Sequence, residues 1–283
     1  MILRHRGAKN IIGDVMSDTI VQYYSKFDEK SRLQDQHSLE RIRTQEIISR
    51  YLNSNTLSIL DIGGAAGIYS FWLTGLGHKV DLIDLTPKHI EEAKKVEIES
   101  KIKLHSLTIG NACNLPFKDD SYEIVLLMGP MYHILEKDQR MKALSEAKRV
   151  LKSNGFIFVA AISRFASMFD AFIKELIEDN EFYPIMLRDI ESGKHINPTK
   201  RPEYFTDAYF HQPDELKNEI EEAGIKCLGI LPVEGLGNSI PEIQKKIQNE
   251  GYKEKLLNAI RKTENESSIL GVSSHFLGIG KKE

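Results

Sequence analysis

The sequence predicts an α/β protein with a doubly wound, mainly parallel sheet. Two observations carry this prediction. Short apolar segments of strand length alternate with segments of helical periodicity from residue 58 to residue 162, and the first of these strands runs directly into a glycine-rich turn and an apolar helix. Alternation of this kind is typical of parallel strands joined by right-handed crossovers. The 283 residues are enough for one such domain with an insertion.

The first strand and its turn read SILDIGGAAGIYS over residues 58–70. Gly63 and Gly67 allow a sharp bend and the close approach of a ligand, and the following helix directs N–H groups toward the same point. The spacing is not the G-x-G-x-x-G of a dinucleotide site, and many such turns need glycine for geometry alone. The turn by itself therefore does not establish a ligand-binding site, and further evidence must come from the rest of the chain.

Six further strands follow, each bounded by glycine, proline or turn residues. Helices are predicted between them, including one that begins at Pro87, one over 213–223 and a charged one over 241–264 that is interrupted at Gly251. The strands are predicted at 79–85, 104–109, 122–128, 156–162, 226–233 and 273–280.

The helical segments outside this alternation predict three regions. Residues 1–54 form an N-terminal helical lid, in which Tyr23 and Tyr24 either pack internally or contact substrate. Residues 55–162 and 213–283 form the sheet domain. Residues 163–212 carry many aromatic side chains and no clear strand, which predicts a helical cap inserted over the binding site.

Composition excludes several classes of protein. The net charge of −3 provides no field that attracts nucleic acid or an anionic membrane. No segment has transmembrane length or the form of a signal peptide, and a cytoplasmic location is expected. Cys113 and Cys227 lie far apart and form no metal-ligand pattern, so no metal site is predicted.

Polar residues follow the first three strands at their carboxyl ends, which share one edge of a parallel sheet. Asp84 ends the second strand, and a carboxylate accepts hydrogen bonds from a ribose diol. Asn111 and Ala112 follow the third strand, and an amide suits an adenine edge. Taken alone, Asp84 could simply stabilise the start of the next helix, and Asn111 could simply form a turn. Together with the glycine turn, they favour a ligand of the adenosine type at this edge.

These residues resemble the motifs of class I S-adenosylmethionine-dependent methyltransferases, and more closely the small-molecule branch called type 11. The resembling stretches are 59–67, Asp84, Asn111 with Ala112, and 123–133; MGPMYH at 128–133, RVL at 149–151 with Gly155, and YFH at 209–211 match the type 11 branch. The resemblance implies a Rossmann-like sheet of seven strands with the last strand antiparallel. One departure is Ala65, which stands where the family has the middle glycine of its first motif and narrows the turn by a methyl group.

The resemblance also implies S-adenosyl-L-methionine as cofactor and transfer of its methyl group to a small-molecule acceptor by in-line displacement. The sulfonium is already activated, so such a protein mainly positions its ligands and excludes water. The cofactor contacts predicted for this chain are Asp61, Gly63, Gly64, Gly67, Asp84, Leu85, Asn111, Ala112 and Met128.

Three other functions are alternatives to this one. A nicotinamide-dependent oxidoreductase needs the fingerprint that is absent here, whereas a non-catalytic S-adenosylmethionine-binding protein stays open. A nucleic-acid methyltransferase is disfavoured because there is no basic stripe and no Asn/Asp-Pro-Pro-aromatic motif. Neither the acceptor atom, which is O, N, C or S, nor the choice between monomer and homodimer follows from the sequence.

Candidate catalytic residues come just after the fourth strand. His133 is predicted to face the methyl-donor side of the pocket, either as the general base or as a residue that only positions substrate, and Tyr132 is predicted to line the pocket. The predicted substrate contacts are His133, Tyr23, Tyr24 and Arg43, with a solvated helix charge as the alternative for Arg43.

Overall fold

A computed structural model describes residues 38–283, so the predicted contacts of Tyr23 and Tyr24 and most of the predicted lid lie outside the described residues. The main sheet contains seven strands, and a separate two-stranded ribbon contains β6 and β7. The strands are β1 (Ser58–Ile62), β2 (Lys79–Asp84), β3 (Ser106–Ile109), β4 (Tyr122–Leu127), β5 (Leu151–Ile162), β6 (Lys194–His195), β7 (Ala208–Tyr209), β8 (Lys226–Pro232) and β9 (His275–Lys281).

The strand order in the main sheet is β3-β2-β1-β4-β5-β9-β8. Strands β1 to β5 pair in parallel, whereas β9 is antiparallel to both β5 and β8. The predicted seven-stranded sheet with an antiparallel last strand is therefore confirmed. Because β9 runs in the opposite direction, its first residue, His275, pairs with Ile162 at the carboxyl end of β5.

Three of the predicted strand starts need correction. Strand β3 begins at Ser106 instead of residue 104, β5 begins at Leu151 instead of residue 156, and β9 begins at His275 instead of residue 273. The early start of β5 reflects a register shift opposite β4, where Tyr122 pairs with Leu151 but Ile124 pairs with Phe156. The intervening residues form a bulge, which a pattern of apolar residues does not reveal.

Helices cover both faces of the sheet. Alternate residues of β1 belong to opposite cores: Ile59 packs with α1 and α2, and Leu60 packs with α5 and α8. Burial on both faces explains the continuous apolar strands. The helices are α1 (Ser38–Ser49), α2 (Ile68–Gly75), α3 (Pro87–Ser100), α4 (Pro130–His133), α5 (Lys137–Val150), α6 (Ala166–Ile173), α7 (Phe182–Ser192), α8 (Pro213–Glu222), α9 (Ile243–Lys246), α10 (Glu250–Thr263) and α11 (Ser267–Leu270).

The C-terminal helical segment differs from its prediction. Gly251 lies inside α10, and the interruption falls between α9 and α10 instead. The side chain of Asn249 accepts a hydrogen bond from the Tyr252 backbone N–H at 2.9 Å and so caps α10. Among the described residues, no helix combines the length and apolar character needed to cross a bilayer.

Residues 163–212 contain the helices α6 and α7, in agreement with the predicted helical character, and also the β6–β7 ribbon, which sequence patterns did not predict. Their own apolar cluster includes Phe182, Met186 and Tyr204. The segment also contains a buried hydrogen-bond network: Asp189 accepts a hydrogen bond from the Ser167 hydroxyl and lies 2.7 Å from Nδ1 of His195. Nε2 of the same histidine lies 2.6 Å from the Tyr204 carbonyl oxygen. The segment therefore has an internal core, which holds its helices in place.

Candidate active site

The candidate site lies where β1 and β4 are neighbours, because the chain leaves these two strands toward opposite edges of the sheet. Ligands of open α/β sheets bind at such a switch point. Gly63 has φ +72°, and a Cβ atom there would lie 2.8 Å from Cδ of Pro130. The loops after β1 and β4 approach this closely only because the first of them begins with glycine.

Asp61 lies beneath the turn and is fully buried. Its Oδ2 accepts a hydrogen bond from the Ser70 hydroxyl at 2.7 Å. A Cβ at Gly64 would overlap the Asp61 carboxylate, so this second glycine makes room for it. Burial raises the pKa of Asp61 to about 7; the bond from Ser70 opposes this rise, and the charge of Asp84 adds to it. The carboxyl group beneath the turn therefore stays protonated to a higher pH than an ordinary aspartate does.

Asp84 connects the turn to the start of α3. Its Oδ2 accepts a hydrogen bond from the Ala65 N–H at 2.9 Å, and its Oδ1 accepts one from the Thr86 N–H at 2.8 Å. Nδ1 of His89 lies 3.0 Å from Oδ1. The helix-entry role that the sequence left open is therefore present. The predicted ribose contact stays a prediction.

Ala65 adopts φ +49°, the left-handed region that the family fills with glycine. This conformation aims its N–H at Asp84. The methyl group that departs from the motif is therefore accommodated at the expense of backbone strain, which is of the order of 1–2 kcal/mol for an L residue. The turn keeps its shape because Gly67, with φ +85°, completes it.

The residues predicted at the adenine end lie beside Asp84. Asp84 pairs with Ile109 of β3, and Asn111 and Ala112 follow that strand. The Asn111 side-chain oxygen accepts a hydrogen bond from the Cys113 N–H at 2.8 Å, which is the predicted turn role. Leu85 and Ala112 are half-buried. The structure brings these residues to one edge, and their contact with adenine remains a prediction.

A cavity extends from the turn across β4 and β5 to β9. Gly63, Gly64 and Ala65 of the turn line it together with Met128. The lining also includes residues of α1, α4, β5 and β9, namely Glu40, Thr44, Tyr132, Ala160, His275 and Phe276. The cavity therefore reaches beyond the predicted cofactor contacts.

Tyr132 lines this cavity, whereas His133 does not. The Tyr132 hydroxyl donates a hydrogen bond to the Met128 carbonyl oxygen at 2.8 Å. The His133 ring lies 4.6 Å from the Tyr132 ring and 5.9 Å from the Phe205 ring of the segment 163–212. The sequence prediction placed both residues in the cavity. Both belong to the short helix α4, in which consecutive side chains point about 100° apart, so neighbours face different surroundings.

Arg43 is fully buried, and its guanidinium is bound by the protein itself. It lies 2.8 Å from Glu264 and 2.9 Å from Glu46, and its Nε donates to the Val233 carbonyl oxygen at 3.3 Å. Burial on its own raises the pKa of Glu46, but hydrogen bonds from Arg261, Arg43 and Arg50 lower it to about 2. Arg43 therefore ties α1 to the end of α10, in place of the predicted ligand contact.

Sequence reasoning missed a polar cluster on the wall of the cavity. Glu40 of α1, Glu234 after β8 and His275 at the start of β9 offer ligand atoms within 4.8 Å of one another. The signal that could have found them is topological, because the start of an antiparallel last strand meets the carboxyl ends of its neighbours. The sequence pattern predicts a strand over residues 273–280 and gives no sign of a site residue within it.

Comparison with known proteins agrees with this geometry. Residues 60–159 match the family model of a methyltransferase domain, of the type 11 group. Two curated relatives, both named ubiquinone/menaquinone biosynthesis C-methyltransferase UbiE, come from Ruegeria sp. and Zymomonas mobilis. The first is 33% identical over 38% of this chain and 42% of its own length. The second is 26% identical over 66% of this chain and 79% of its own length.

A solved structure shares the fold. It is the Burkholderia thailandensis 1,6-didemethyltoxoflavin-N1-methyltransferase with bound 1,6-didemethyltoxoflavin and S-adenosylhomocysteine, and it aligns with a TM-score of 0.58, at 11% identity, over 100% of this chain and 93% of the other. The fold and the matches support a class I S-adenosylmethionine-dependent methyltransferase, with S-adenosylmethionine as its cofactor. Within that class, residues 60–159 are a methyltransferase domain of type 11.

Proposed function

We propose that the chain transfers the methyl group of S-adenosylmethionine to a small-molecule acceptor held in the cavity. The observation that carries the proposal is the extent of the cavity. Gly63, Gly64 and Met128 are lining residues predicted to hold the cofactor, whereas Glu40, Ala160 and His275 line a part of the same cavity that the cofactor motifs do not include. An acceptor in this second part faces the sulfonium, as in-line displacement requires.

In this proposal each group of predicted residues binds a different part of the cofactor. Asp84 takes a ribose hydroxyl, Asn111 and Ala112 take the adenine, and the turn holds the methionine moiety beside Met128. Tyr132 acts as a fixed wall because its hydroxyl is anchored on the Met128 carbonyl oxygen. In this arrangement the protein mainly positions two ligands and excludes water.

Residues 163–212 serve as the cap in this proposal, and residues 1–54 serve as the lid. In support, Tyr132 packs in one apolar cluster with Phe205, Ala208 and Phe210 of the segment. The backbone of the segment also hydrogen-bonds to the end of β5, where the His211 N–H donates to the Ile162 carbonyl oxygen at 2.8 Å. The cap is thus fixed to the sheet edge that carries the cavity.

The proposed acceptor is a small molecule with a flat apolar part. Tyr69, Tyr132 and Phe276 give the cavity an aromatic lining that suits such a surface. The names of the relatives agree with a small acceptor in general, since the UbiE proteins are named for quinone biosynthesis. We also propose that the enzyme is cytoplasmic and is either a monomer or a homodimer.

A screen of acceptors tests the proposal. The full chain is incubated with S-adenosylmethionine and panels of phenols, hydroquinones, amines and carboxylic acids, and S-adenosylhomocysteine formation is measured. We expect turnover with at least one panel, dependent on protein and acceptor. Tyr132→Ala, which removes the cavity wall, should lower this turnover, and Tyr183→Ala on the exposed surface of the cap serves as its matched control. Binding of S-adenosylhomocysteine without turnover of any acceptor would favour a non-catalytic cofactor-binding protein.

A further inference from the structure

The polar cluster of Glu40, Glu234 and His275 is brought together by three separate elements. Glu40 lies on α1, Glu234 follows β8, and His275 begins β9. Two of its members, Glu40 and His275, line the same cavity as the glycine turn, while Glu234 is fully buried behind them. No sequence motif links residues this far apart, and the cofactor chemistry of the fold does not use them.

The distances within the cluster are short. Nδ1 of His275 lies 2.5 Å from Oε1 of Glu234 and 3.9 Å from Oε2 of Glu40. One ligand atom of each residue lies within 4.8 Å of those of the other two. Ligand atoms that bind one ion at about 2.0–2.2 Å in a tetrahedral site lie about 3.3–3.6 Å apart. The separation of Glu40 and His275 is close to this, whereas the hydrogen bond between Glu234 and His275 would have to open by about 1 Å to admit an ion.

The buried carboxylate is itself held in place. The Ser273 hydroxyl donates a hydrogen bond to Oε2 of Glu234 at 3.0 Å, and the His275 N–H donates to the same oxygen at 3.1 Å. In the other direction, the Glu234 N–H donates to the Ser273 hydroxyl oxygen at 3.1 Å. Metal ligands are typically oriented by such outer hydrogen bonds, so Glu234 is already held at this position, and only its contact with Nδ1 of His275 must open for it to serve as one.

The donor set indicates the kind of ion. The three side chains offer two carboxylates and one imidazole, which are donors that divalent cations bind in proteins. One nitrogen and two oxygen donors suit Zn²⁺, Mn²⁺ or Fe²⁺, since Mg²⁺ and Ca²⁺ prefer oxygen donors alone. We propose that Glu40, Glu234 and His275 bind one divalent transition-metal ion on the wall of the cavity.

Three protein ligands leave at least one coordination position, as in catalytic zinc sites. Because Glu40 and His275 line the cavity, that position faces the space assigned above to the acceptor. The ion would thus hold an oxygen or nitrogen donor of the acceptor beside the methyl group. This second part rests on the proposed function, whereas the metal site itself does not.

The competing interpretation is a structural one, in which Glu234 and His275 simply join β8 to β9. The two interpretations differ in the role of Glu40. In the structural interpretation Glu40 has no effect on metal affinity, because the ion pair is the one between His275 and Glu234 at 2.5 Å, and Glu40 lies 3.9 Å from the same histidine nitrogen. In the metal interpretation all three side chains are required, and their removal has a common effect.

The experiment titrates the metal-stripped full chain with ZnCl₂, and separately with MnCl₂, by calorimetry. We expect one ion per chain for at least one metal. Glu40→Gln and His275→Gln should each weaken its affinity about tenfold or more, which is the scale of losing a ligand or its support. His105→Gln is the matched control, since His105 also pairs with a carboxylate, that of Asp81, but on the exposed surface.

Folding and cofactor binding are followed in the same samples by thermal unfolding and by S-adenosylhomocysteine titration. If His275→Gln does not fold, the affinity of Glu40→Gln tests the metal site, because Glu40 lies on α1 and takes no part in strand pairing. Absence of stoichiometric binding, or affinity equal in Glu40→Gln and wild type, would overturn the metal site. Failure of the proposed methyl transfer appears separately, as intact metal binding without turnover of any acceptor.

Discussion

Asp84→Asn is the most informative single substitution, because Asp84 is proposed to serve both the fold and the cofactor. A carboxylate has about four lone-pair sites. Three polar groups already approach it, namely the N–H groups of Ala65 and Thr86 and Nδ1 of His89. The geometry therefore leaves capacity for one further strong hydrogen bond, from one ribose hydroxyl rather than from both.

The magnitude follows from this count. A hydrogen bond to a charged group contributes about 1.5–3 kcal/mol, and a neutral one about 0.5–1.5 kcal/mol. Replacing the carboxylate by an amide should therefore weaken the single ribose bond by about 1–1.5 kcal/mol, or roughly 5- to 12-fold in Kd. Asparagine also turns an NH₂ group toward one backbone N–H, which should destabilise the fold by about 1–3 kcal/mol.

Two measurements separate these effects. Calorimetric titration with S-adenosylhomocysteine gives the change in Kd, and thermal unfolding of the free protein gives the change in stability. Asp81→Asn is the matched control: Asp81 lies on the same strand and accepts a hydrogen bond from the Tyr122 hydroxyl at 2.9 Å, but away from the carboxyl end. It should lower stability and leave Kd unchanged. A folded Asp84→Asn protein with wild-type Kd would refute the ribose assignment.

Three further predictions concern the turn and the sheet. Ala65→Gly should leave stability unchanged or raise it by up to about 1 kcal/mol, because relief of the left-handed strain offsets the added chain entropy; Ala66→Gly, at ordinary φ, should lower stability by about 0.5–1 kcal/mol, and chemical denaturation compares the two. The pKa of Asp61 is raised to about 7, so the folded state binds more protons than the unfolded chain between about pH 4 and pH 7, and stability should fall as pH rises through that window by up to about 1.4 kcal/mol per pH unit. Asp61→Asn should flatten this limb, and an unchanged pH profile would show that the carboxyl group is not the cause. Burial alone raises the pKa of Glu219, but hydrogen bonds from His211 and Arg140 lower it to about 2, so its stabilising contribution should be complete above about pH 4.5 and lost as pH falls toward 2. Glu219→Gln should have a shallower acid limb than wild type in denaturation measured between pH 5 and pH 2.5.

Much of the fold could be predicted because it depends on local patterns. The apolar run before Gly63 and the proline that starts α3 each fix an element through its own chemistry. The placement of Asp84 at a strand end also followed from the sequence. These features require no knowledge of distant partners. The antiparallel last strand was expected only through family resemblance, since periodicity does not encode strand direction.

The rest depends on contacts between distant segments. Periodicity does not show that α4 turns Tyr132 toward the cavity and His133 toward Phe205. Arg43 on a charged helix looks like a surface residue until α10 supplies Glu264. The cluster around His275 forms only when the sheet brings the end of β8 and the start of β9 to one edge. Each of these features is set by tertiary structure.

The most direct test of the central claim is a crystal structure of the full chain with S-adenosylhomocysteine. The account predicts the nucleoside at the carboxyl ends of β2 and β3, with one ribose hydroxyl about 2.5–2.7 Å from the Asp84 carboxylate, the range of a charge-assisted O–H···O⁻ bond. It also predicts the sulfur atom beside Met128, facing the cavity wall that contains Tyr132 and His275. A ligand bound at any other edge of the sheet, or a sulfur atom turned away from that cavity, would contradict it.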